Sequence, residues 1–395
     1  MSKVVCPYCF HRFNRNEVMF RCVNVANCEN EADPILEKFC ERQQRKIGRV
    51  IPSPKGFLGL HMGTPKSAVC PKCKYESHLM ICPHCHNNIP TEMVLKKGFV
   101  ISIIGARSSG KTIYITTLIN ELETHGWEII PDLSLTARNV SENPEYNTES
   151  RYKRDFYNVI YKDNNCPPQT DIGAFQSKIP LIYELSRYNG DSIFLVFYDT
   201  AGENFTDIRN IAGNVRFLNE SDAIIFLLDS MSVPYVREKL NIKGMSETRY
   251  DAILANIIQY FRQHGGENNS IFSKPIALTF SKIDEVLVHE DDFAETAISG
   301  MSVRNNSSFL RGEGVSIDEM ETNSDSLIAA IAAWGEMNFV NQVKNNFKNA
   351  RYFGISALGG APSGNKITQK VKPYRVLDPL VWILHELKYK LPIQK

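Results

Sequence analysis

The chain has 395 residues, 43% of them hydrophobic and 23% charged, proportions that exclude global disorder and fit two domains, or one large domain with an appendage. The net charge of +1 conceals an asymmetry: residues 1–97 carry 15 Lys/Arg against 8 Asp/Glu, and the remainder 30 against 36, so two modules with different partners are expected. Apolar runs such as Ala223–Leu228 are far short of the roughly 18 residues a membrane helix requires, and no basic-then-apolar leader opens the chain; a cytoplasmic protein without a membrane partner is expected.

Of ten cysteines, nine precede residue 86 and only Cys166 follows. Six of them form Cys-x-x-Cys pairs: Cys6/Cys9, Cys70/Cys73 and Cys82/Cys85. In a reducing compartment this pattern points to metal before disulfides. Structural Zn²⁺ takes four Cys or His ligands in a tetrahedron, and each Cys-x-x-Cys turn supplies two. Cys70/Cys73 with Cys82/Cys85 then make one short zinc ribbon. Cys6/Cys9 require a second pair, for which Cys22 and Cys28 are nearest in sequence. His11, Cys40, His84 or His86 are substitutes for one ligand, and an interleaved arrangement, with Cys6/Cys9 joined to a later turn, is the alternative. Two Zn²⁺ are expected in a module spanning residues 1–97, where they supply folding energy that a small core cannot.

Asp33-Pro34 is a helix-start signal, and Lys38–Arg49 (KFCERQQRKIGR) reads as a basic helix after it. The basic surplus admits nucleic acid as a partner. Aromatic residues are not interleaved with it in the manner of a stacking platform, so an acidic protein surface is favoured over nucleic acid. Residues 51–65, rich in Pro and Gly, read as a linker.

Phe99–Ile104 is an apolar, β-branched strand run followed directly by Gly105-Ala-Arg-Ser108-Ser109-Gly110-Lys111-Thr112 and then a helical pattern. This is G-x-x-x-x-G-K-T in the strand–loop–helix context that makes it specific for nucleotide phosphates. Its main-chain N–H groups cradle the phosphates, Lys111 reaches the β- and γ-phosphates, and Thr112 binds Mg²⁺. Downstream, Ser192–Tyr198 is a strand run ending in Asp199-Thr-Ala-Gly202-Glu203, Ala223–Leu228 is another, Pro275–Phe280 leads into Ser281-Lys282-Ile283-Asp284, and Arg351–Ile355 leads into Ser356-Ala357-Leu358. An Asp at a strand end can hold Mg²⁺ through water, and Gly202 lets its backbone N–H approach the γ-phosphate.

In that order the four signals resemble the P-loop, D-x-x-G, N-K-x-D and S-A-x motifs of TRAFAC-class, Ras-like GTPases over roughly residues 98–395. The resemblance implies an α/β fold with a mostly parallel sheet flanked by helices, and GTP or GDP as ligand. It also implies that Asp284 pairs with the guanine N1 and N2 protons, that Lys282 packs along the base, and that the Ala357 N–H contacts the guanine oxygen. Ser281 departs from the family Asn and is expected to bridge less extensively to the P-loop. The switch threonine is sought among Thr136, Thr148 and Thr170. Thr170 is chosen because Cys166-Pro-Pro-Gln-Thr170 is a non-helical segment ahead of a strand-like region, 174–185. Glu203 stands where the family commonly has a water-orienting Gln, and its added negative charge implies slow hydrolysis. Arg107 is placed to supply a positive charge in cis, or across a dimer, or merely to face solvent.

The ribbon ending CPHCHNNIP, the DTAGE sequence, the P-P-x-T segment and a late RVLDPLVW helix together resemble the bacterial double-GTPases. That likeness implies a partner GTPase or an effector, a homo- or heterodimer among the arrangements open to it, and a signalling role in bacterial conflict or antiviral defence. Three functions are thereby in contention: a slow regulatory GTPase switch with a partner-docking zinc module, a GTP-binding assembly scaffold with little hydrolysis, and a nucleic-acid-associated NTPase. Relative to a minimal Ras-like domain, residues 126–165 and 285–348 are insertions. The first is expected to hold a helix near 150–161, the second an Asn/Ser/Gly-rich segment (301–324) and a helix near 325–347. The loop Gly359–Pro373 is expected to be mobile, and a final helix follows Asp378-Pro379, to about 390.

Overall fold

The computed structural model describes residues 3–24, 26–41, 46–55, 63–96, 98–105, 108–141, 143–168, 179–188, 190, 192–198, 216–243, 248–264, 271–293 and 306–394. Among them no helix is long and apolar enough to cross a membrane.

The Cys-rich segment is built of short antiparallel pairs. Strand β1 (Lys3–Val5) pairs with β2 (Arg12–Asn14); β3 (Met19–Arg21) lies between β4 (Val50–Ile51) and a later strand, β7 (Met80–Ile81); β5 (Ala68–Val69) pairs with β6 (Glu76–Ser77). The Asp33-Pro34 start signal holds: Asp33 Oδ1 accepts the Leu36 N–H at 3.1 Å and caps the helix Pro34–Cys40. The basic helix expected over Lys38–Arg49 does not form. Its C-cap, Glu41, turns left-handed at φ 53°, and Ile47 pairs instead with Glu31 in an isolated bridge.

A seven-stranded sheet forms the body. In sequence order its strands are β8 (Gly98–Gly105), β9 (Ser134–Ala137), β10 (Leu181–Ser186), β11 (Ser192–Phe197), β12 (Ala223–Asp229), β13 (Ile276–Ser281) and β14 (Ala350–Gly354). Their spatial order is β14-β13-β12-β8-β11-β10-β9. The five strands from β14 to β11 are mutually parallel, and β10 is antiparallel to both neighbours. The mostly parallel α/β architecture that the GTPase resemblance implies is therefore present. Strand β9, only four residues long, is an edge that the sequence pattern did not reveal.

Alternation along the strands divides the packing. On β11, Ile193, Leu195 and Phe197 face the helices Lys111–Ile129 and Asp378–Glu386. Phe194, Val196 and Tyr198 face the opposite way and pack with Val4, Tyr8, Met80 and Val94 of the Cys-rich segment. That segment thus covers one face of β10–β11, where an α/β sheet needs a layer to bury its apolar side. On the same face the fully buried Glu184 of β10 accepts hydrogen bonds from Lys96 Nζ (2.7 Å), Arg138 Nε (2.7 Å) and Ser192 Oγ.

Within 126–165 the expected helix is present as a short α-turn, Thr148–Arg151, continued as a π-helix, Tyr152–Lys162. The helix expected near 325–347 is two helices, Ile317–Ala333 and Met337–Asn346, separated at Gly335, whose φ of 85° no helical residue adopts. The final helix ends at Glu386, short of 390. The loop Gly359–Pro373, expected to be mobile, is tied down. Cys166 N–H donates to Asn365 O (2.9 Å), Ile367 N–H to Asn164 O (2.9 Å) and Lys372 N–H to Leu358 O (2.9 Å).

Candidate functional site, a phosphate loop and two cysteine tetrads

The phosphate loop joins β8 to the helix Lys111–Ile129, so that the helix N-terminus lies at the strand ends, where an anion is favoured. Among the described residues of the loop, Ser108 (φ 62°) and Gly110 (φ 74°) lie in the left-handed region. Gly105 is required by packing: a Cβ there would lie 2.3 Å from Ser109 Oγ. Lys111 is the first helical residue and is buried, and Thr112 follows in the same turn, half-buried.

Three further strand ends converge on this loop. At the end of β13, Ser281 Oγ donates to the carbonyl of Ser109 (2.8 Å) and lies 3.2 Å from that of Leu228. The serine thus bridges to the P-loop through one bond, to the Ser109 carbonyl. Lys282, in the left-handed region at φ 59°, sends Nζ to the carbonyl of Ser108 (3.0 Å) and to Asp229 Oδ2 (2.7 Å). Asp229 ends β12 and is fully buried. Its other carboxylate oxygen accepts the Met231 N–H (3.0 Å), and its main chain is clasped by the Tyr250 hydroxyl. This acid was missed in the sequence; the only signal is a charge terminating an otherwise apolar strand run.

The end of β14 completes the rim. Ile283 N–H donates to Ile355 O (3.2 Å), joining the segments that follow β13 and β14. Ser356 donates its hydroxyl hydrogen to the Asp284 carboxylate and accepts the Gly359 N–H at 2.9 Å. Burial raises the Asp284 carboxyl above the usual range, against the lowering effect of the Ser356 bond and the Lys282 charge. Glu285 beside it is raised by burial and by the Asp284 charge. Ala357 follows Ser356 and is half-buried. Gly105, Ser108, Ser109, Gly110, Lys111, Lys282, Asp284 and Ser356 are thus brought to one crevice.

Thr170, Asp199, Gly202, Glu203 and Arg107 lie outside the described residues. Of the other two switch candidates, Thr136 sits within the edge strand β9. Thr148 is buried and donates its hydroxyl to Arg138 O (3.1 Å), a structural bond.

The eight cysteines form two tetrads, and the pairing is the interleaved one. Cys6, Cys9, Cys82 and Cys85 are one group, and Cys22, Cys28, Cys70 and Cys73 the other. The ribbon joining Cys70/Cys73 to Cys82/Cys85 is therefore corrected, as is the union of Cys6/Cys9 with Cys22/Cys28. The reason lies in the sheet: β3 pairs with β7, which carries the Cys82 turn away from the Cys70 turn and beside the first knuckle. Cys40, His11, His84 and His86 belong to neither tetrad.

The donor sets fit Zn²⁺. Tetrahedral bonds of about 2.3 Å imply sulfur–sulfur edges of about 3.8 Å. The observed edges include Cys6–Cys85 at 3.7 Å, Cys9–Cys82 at 3.7 Å, Cys22–Cys73 at 3.6 Å and Cys28–Cys70 at 3.8 Å. The three Cys-x-x-Cys turns share one geometry. The residue after each second cysteine, Phe10, Lys74 or His86, is left-handed (φ 58°, 60° and 58°) and returns its N–H to the first cysteine's carbonyl. The Tyr8 and His84 N–H groups donate to Cys6 Sγ and Cys82 Sγ, as expected around thiolates that carry charge.

The first tetrad abuts the sheet. Phe10, next to Cys9, packs edge-on against Tyr198, ring centroids 5.1 Å apart. Tyr198 directly precedes Asp199 in sequence.

Over 97% of its length the chain is 24% identical to a Mycolicibacterium smegmatis protein described as a putative ESX-1 scaffolding and assembly protein, SaeC, of which it covers 98%. Similar solved structures include the small GTPase Arl6 (BBS3) of Trypanosoma brucei (10% identity, TM-score 0.32, 74% of this chain and 100% of that one). They also include the GTP-bound GTPase-like domain of S. cerevisiae Ski7 (12% identity, TM-score 0.34, 74% of this chain and 50% of that one). The profile of the Double-GTPase 2 family matches residues 99–332, more than half of the chain, and the chain belongs to that family of P-loop GTPases.

Proposed function

We propose that the protein is a guanine-nucleotide switch that governs assembly of a protein complex, with its Cys-rich segment, residues 1–97, as the docking module and residues 98–395 as the GTPase domain. The observation that carries the reading is the joint placement of Ser281, Lys282, Asp284 and Ser356 around the P-loop. An oriented carboxylate accepts both guanine N–H donors, and adenine offers no such pair.

In this reading Lys111 and the loop N–H groups hold the β- and γ-phosphates, Lys282 packs along the base, and the Ala357 N–H meets the guanine oxygen. Mg²⁺, when bound, neutralises developing phosphate charge. Thr112 would hold it directly, with Asp199 and Thr170 as its further protein contacts. Glu203 in place of a neutral amide keeps hydrolysis slow, and Gly202 reports the γ-phosphate to the adjoining segment. The two tetrads take Zn²⁺ as a folding element.

The similarity to SaeC along nearly the whole chain favours assembly over conflict or defence as the setting, and a protein over nucleic acid as the partner. It also supports a second form of the reading, in which the GTP-bound state itself is the scaffold and turnover is incidental. Single-turnover hydrolysis of GTP by the zinc-loaded chain separates the two. A slow but complete burst that Lys111→Ala abolishes marks a switch. GTP retained intact over hours, with affinity lost in Lys111→Ala, marks a scaffold. Absence of GTP binding overturns both.

A further inference from the structure

The loop Gly359–Pro373 leaves the Ser356 turn, crosses to another part of the chain and returns. An antiparallel bridge closes it at the base: Tyr374 N–H donates to Ser356 O (2.8 Å) and Ser356 N–H to Tyr374 O (3.2 Å). Gly359, left-handed at φ 81°, lets the returning chain pass close; a Cβ there would lie 2.3 Å from Lys372 O. At the far end Ser363 and Lys366 exchange main-chain bonds (2.9 and 3.1 Å) around Gly364, at φ 59°. There Asn365 O accepts the Cys166 N–H, and the Ile367 N–H donates to Asn164 O. Beneath, Ile367 and Leu358 are buried with Ile160 and pack against Ile113, which follows Thr112 in the first turn of the helix Lys111–Ile129. The loop therefore contacts the Ser356 turn, the start of the helix after the phosphate loop and the segment Asn164–Cys166 at once.

One side chain fastens the exposed middle of this loop. Asp284 and Glu285 are adjacent in the first turn of the helix Ile283–Val288, where successive side chains point about 100° apart. Their carboxylates diverge accordingly: Asp284 accepts the Ser356 hydroxyl, and Glu285 accepts the Ala361 N–H. Gln369 Nε2 meets the Ala361 carbonyl (3.4 Å). Residues Ala361–Lys366 are all exposed. Order in such a stretch rests on few bonds rather than on burial, so losing one lowers the cost of local opening. A bond to a charged acceptor, as Glu285 offers, is of the stronger kind.

We infer that Glu285 is a positioning residue for guanine recognition: through Ala361 it holds the loop Gly359–Pro373 as a strap, which keeps the Ser356–Leu358 turn and the segment Asn164–Cys166 in one arrangement. The inference rests on the guanine reading of the crevice. A base seated against the Ser356–Leu358 turn then steadies Cys166 through the strap, and Cys166 lies four residues before Thr170 in sequence. The coupling runs from the base and needs no γ-phosphate, so GDP suffices to produce it.

The test is amide hydrogen exchange, read by mass spectrometry on the zinc-loaded full chain with and without saturating GDP, beside a direct titration of GDP. Peptides covering Cys166 and Ile367 should exchange roughly tenfold more slowly with GDP bound, through suppressed local opening. A peptide covering Ile47, whose N–H is bonded to Glu31 O in the Cys-rich segment, should be unchanged. Glu285→Ala should bind GDP about fivefold more weakly, the worth of one hydrogen bond, and should lose the slowing even at saturation. Glu285→Gln keeps an acceptor for the Ala361 N–H and should restore both. Ile367→Ala loosens the far end instead: GDP affinity should stay close to that of wild type while the slowing at Cys166 is lost. This variant keeps the test decisive if Glu285→Ala does not fold. Four results overturn the strap and leave the guanine reading standing: GDP bound with no slowing at Cys166 and Ile367, slowing that extends equally to Ile47, slowing that persists in Glu285→Ala or Ile367→Ala, or Glu285→Gln behaving as Glu285→Ala. Absence of GDP binding by the wild type overturns both, and the titration tells the two failures apart.

Discussion

Ser281 Oγ reaches 2.8 Å to the main-chain carbonyl of Ser109, fastening the end of β13 to the phosphate loop. Removing the hydroxyl leaves the Ser109 carbonyl without this partner and loosens the loop. Ser281→Ala should weaken GTP binding about five- to tenfold, the worth of about 1 kcal/mol for one neutral hydrogen bond, with melting temperature changed little. Fluorescent-nucleotide titration reads this directly.

Asp229 restrains Lys282 from beneath, through a 2.7 Å ion pair. Asp229→Asn keeps the shape and removes the charge. It should lower affinity for GTP and GDP alike, several-fold, because the lysine no longer has a fixed position, while the rate of hydrolysis of bound GTP stays the same. A change confined to hydrolysis would assign Asp229 another role.

The interleaved tetrads make a clear stoichiometric prediction. Cys9 and Cys85 belong to one group, so Cys9→Ser/Cys85→Ser should lose one zinc and keep the other. Pairing by sequence neighbours would place those two residues in different sites, and the double variant would then lose both. Metal analysis of purified protein decides between them. The variant should also be destabilised well beyond a surface substitution, since its tetrad packs through Phe10 onto Tyr198.

Glu184 ties β10 to Lys96 and Arg138. Burial would raise its carboxyl, but the bonds from Lys96, Ser192 and Arg138 hold it below the ordinary range. Its folded pKa is thus depressed. The stability it gives is present above the unfolded value, near 4.3, and is lost as pH falls through the folded one. Glu184→Ala should cost about 2–3 kcal/mol, less than the 3–5 of a wholly buried pair because Lys96 is half-exposed. Glu184→Gln should flatten the acid limb of the stability curve. Urea melts between pH 3 and 7 measure both.

The strands were legible because long apolar, β-branched runs such as Ala223–Leu228 have one reading in a parallel sheet, and the nucleotide loops because each follows such a run. Less was legible where structure depends on distant partners. The tetrads follow the β3–β7 pairing, a contact between residues about 60 apart, which no Cys spacing encodes. Asp229 gives no local pattern, since its meaning lies in Lys282. The basic helix overran because nothing before Glu41 announces a left-handed turn there, and a single Gly335 divided a helix whose apolar pattern runs through it.

The most direct measurement is the affinity of the zinc-loaded chain for GTP, GDP and ATP, in wild type and in Asp284→Ala, as a function of pH. The half-buried Asp284 carboxyl is raised above the usual range by partial desolvation, and only its ionised form accepts both guanine donors. Preference for guanine nucleotides should therefore exceed about a hundredfold near neutrality, decline as pH falls through that raised value, and vanish in Asp284→Ala. Equal binding of ATP and GTP by the wild type, or a preference untouched by Asp284→Ala, would contradict the reading of this crevice as a guanine site.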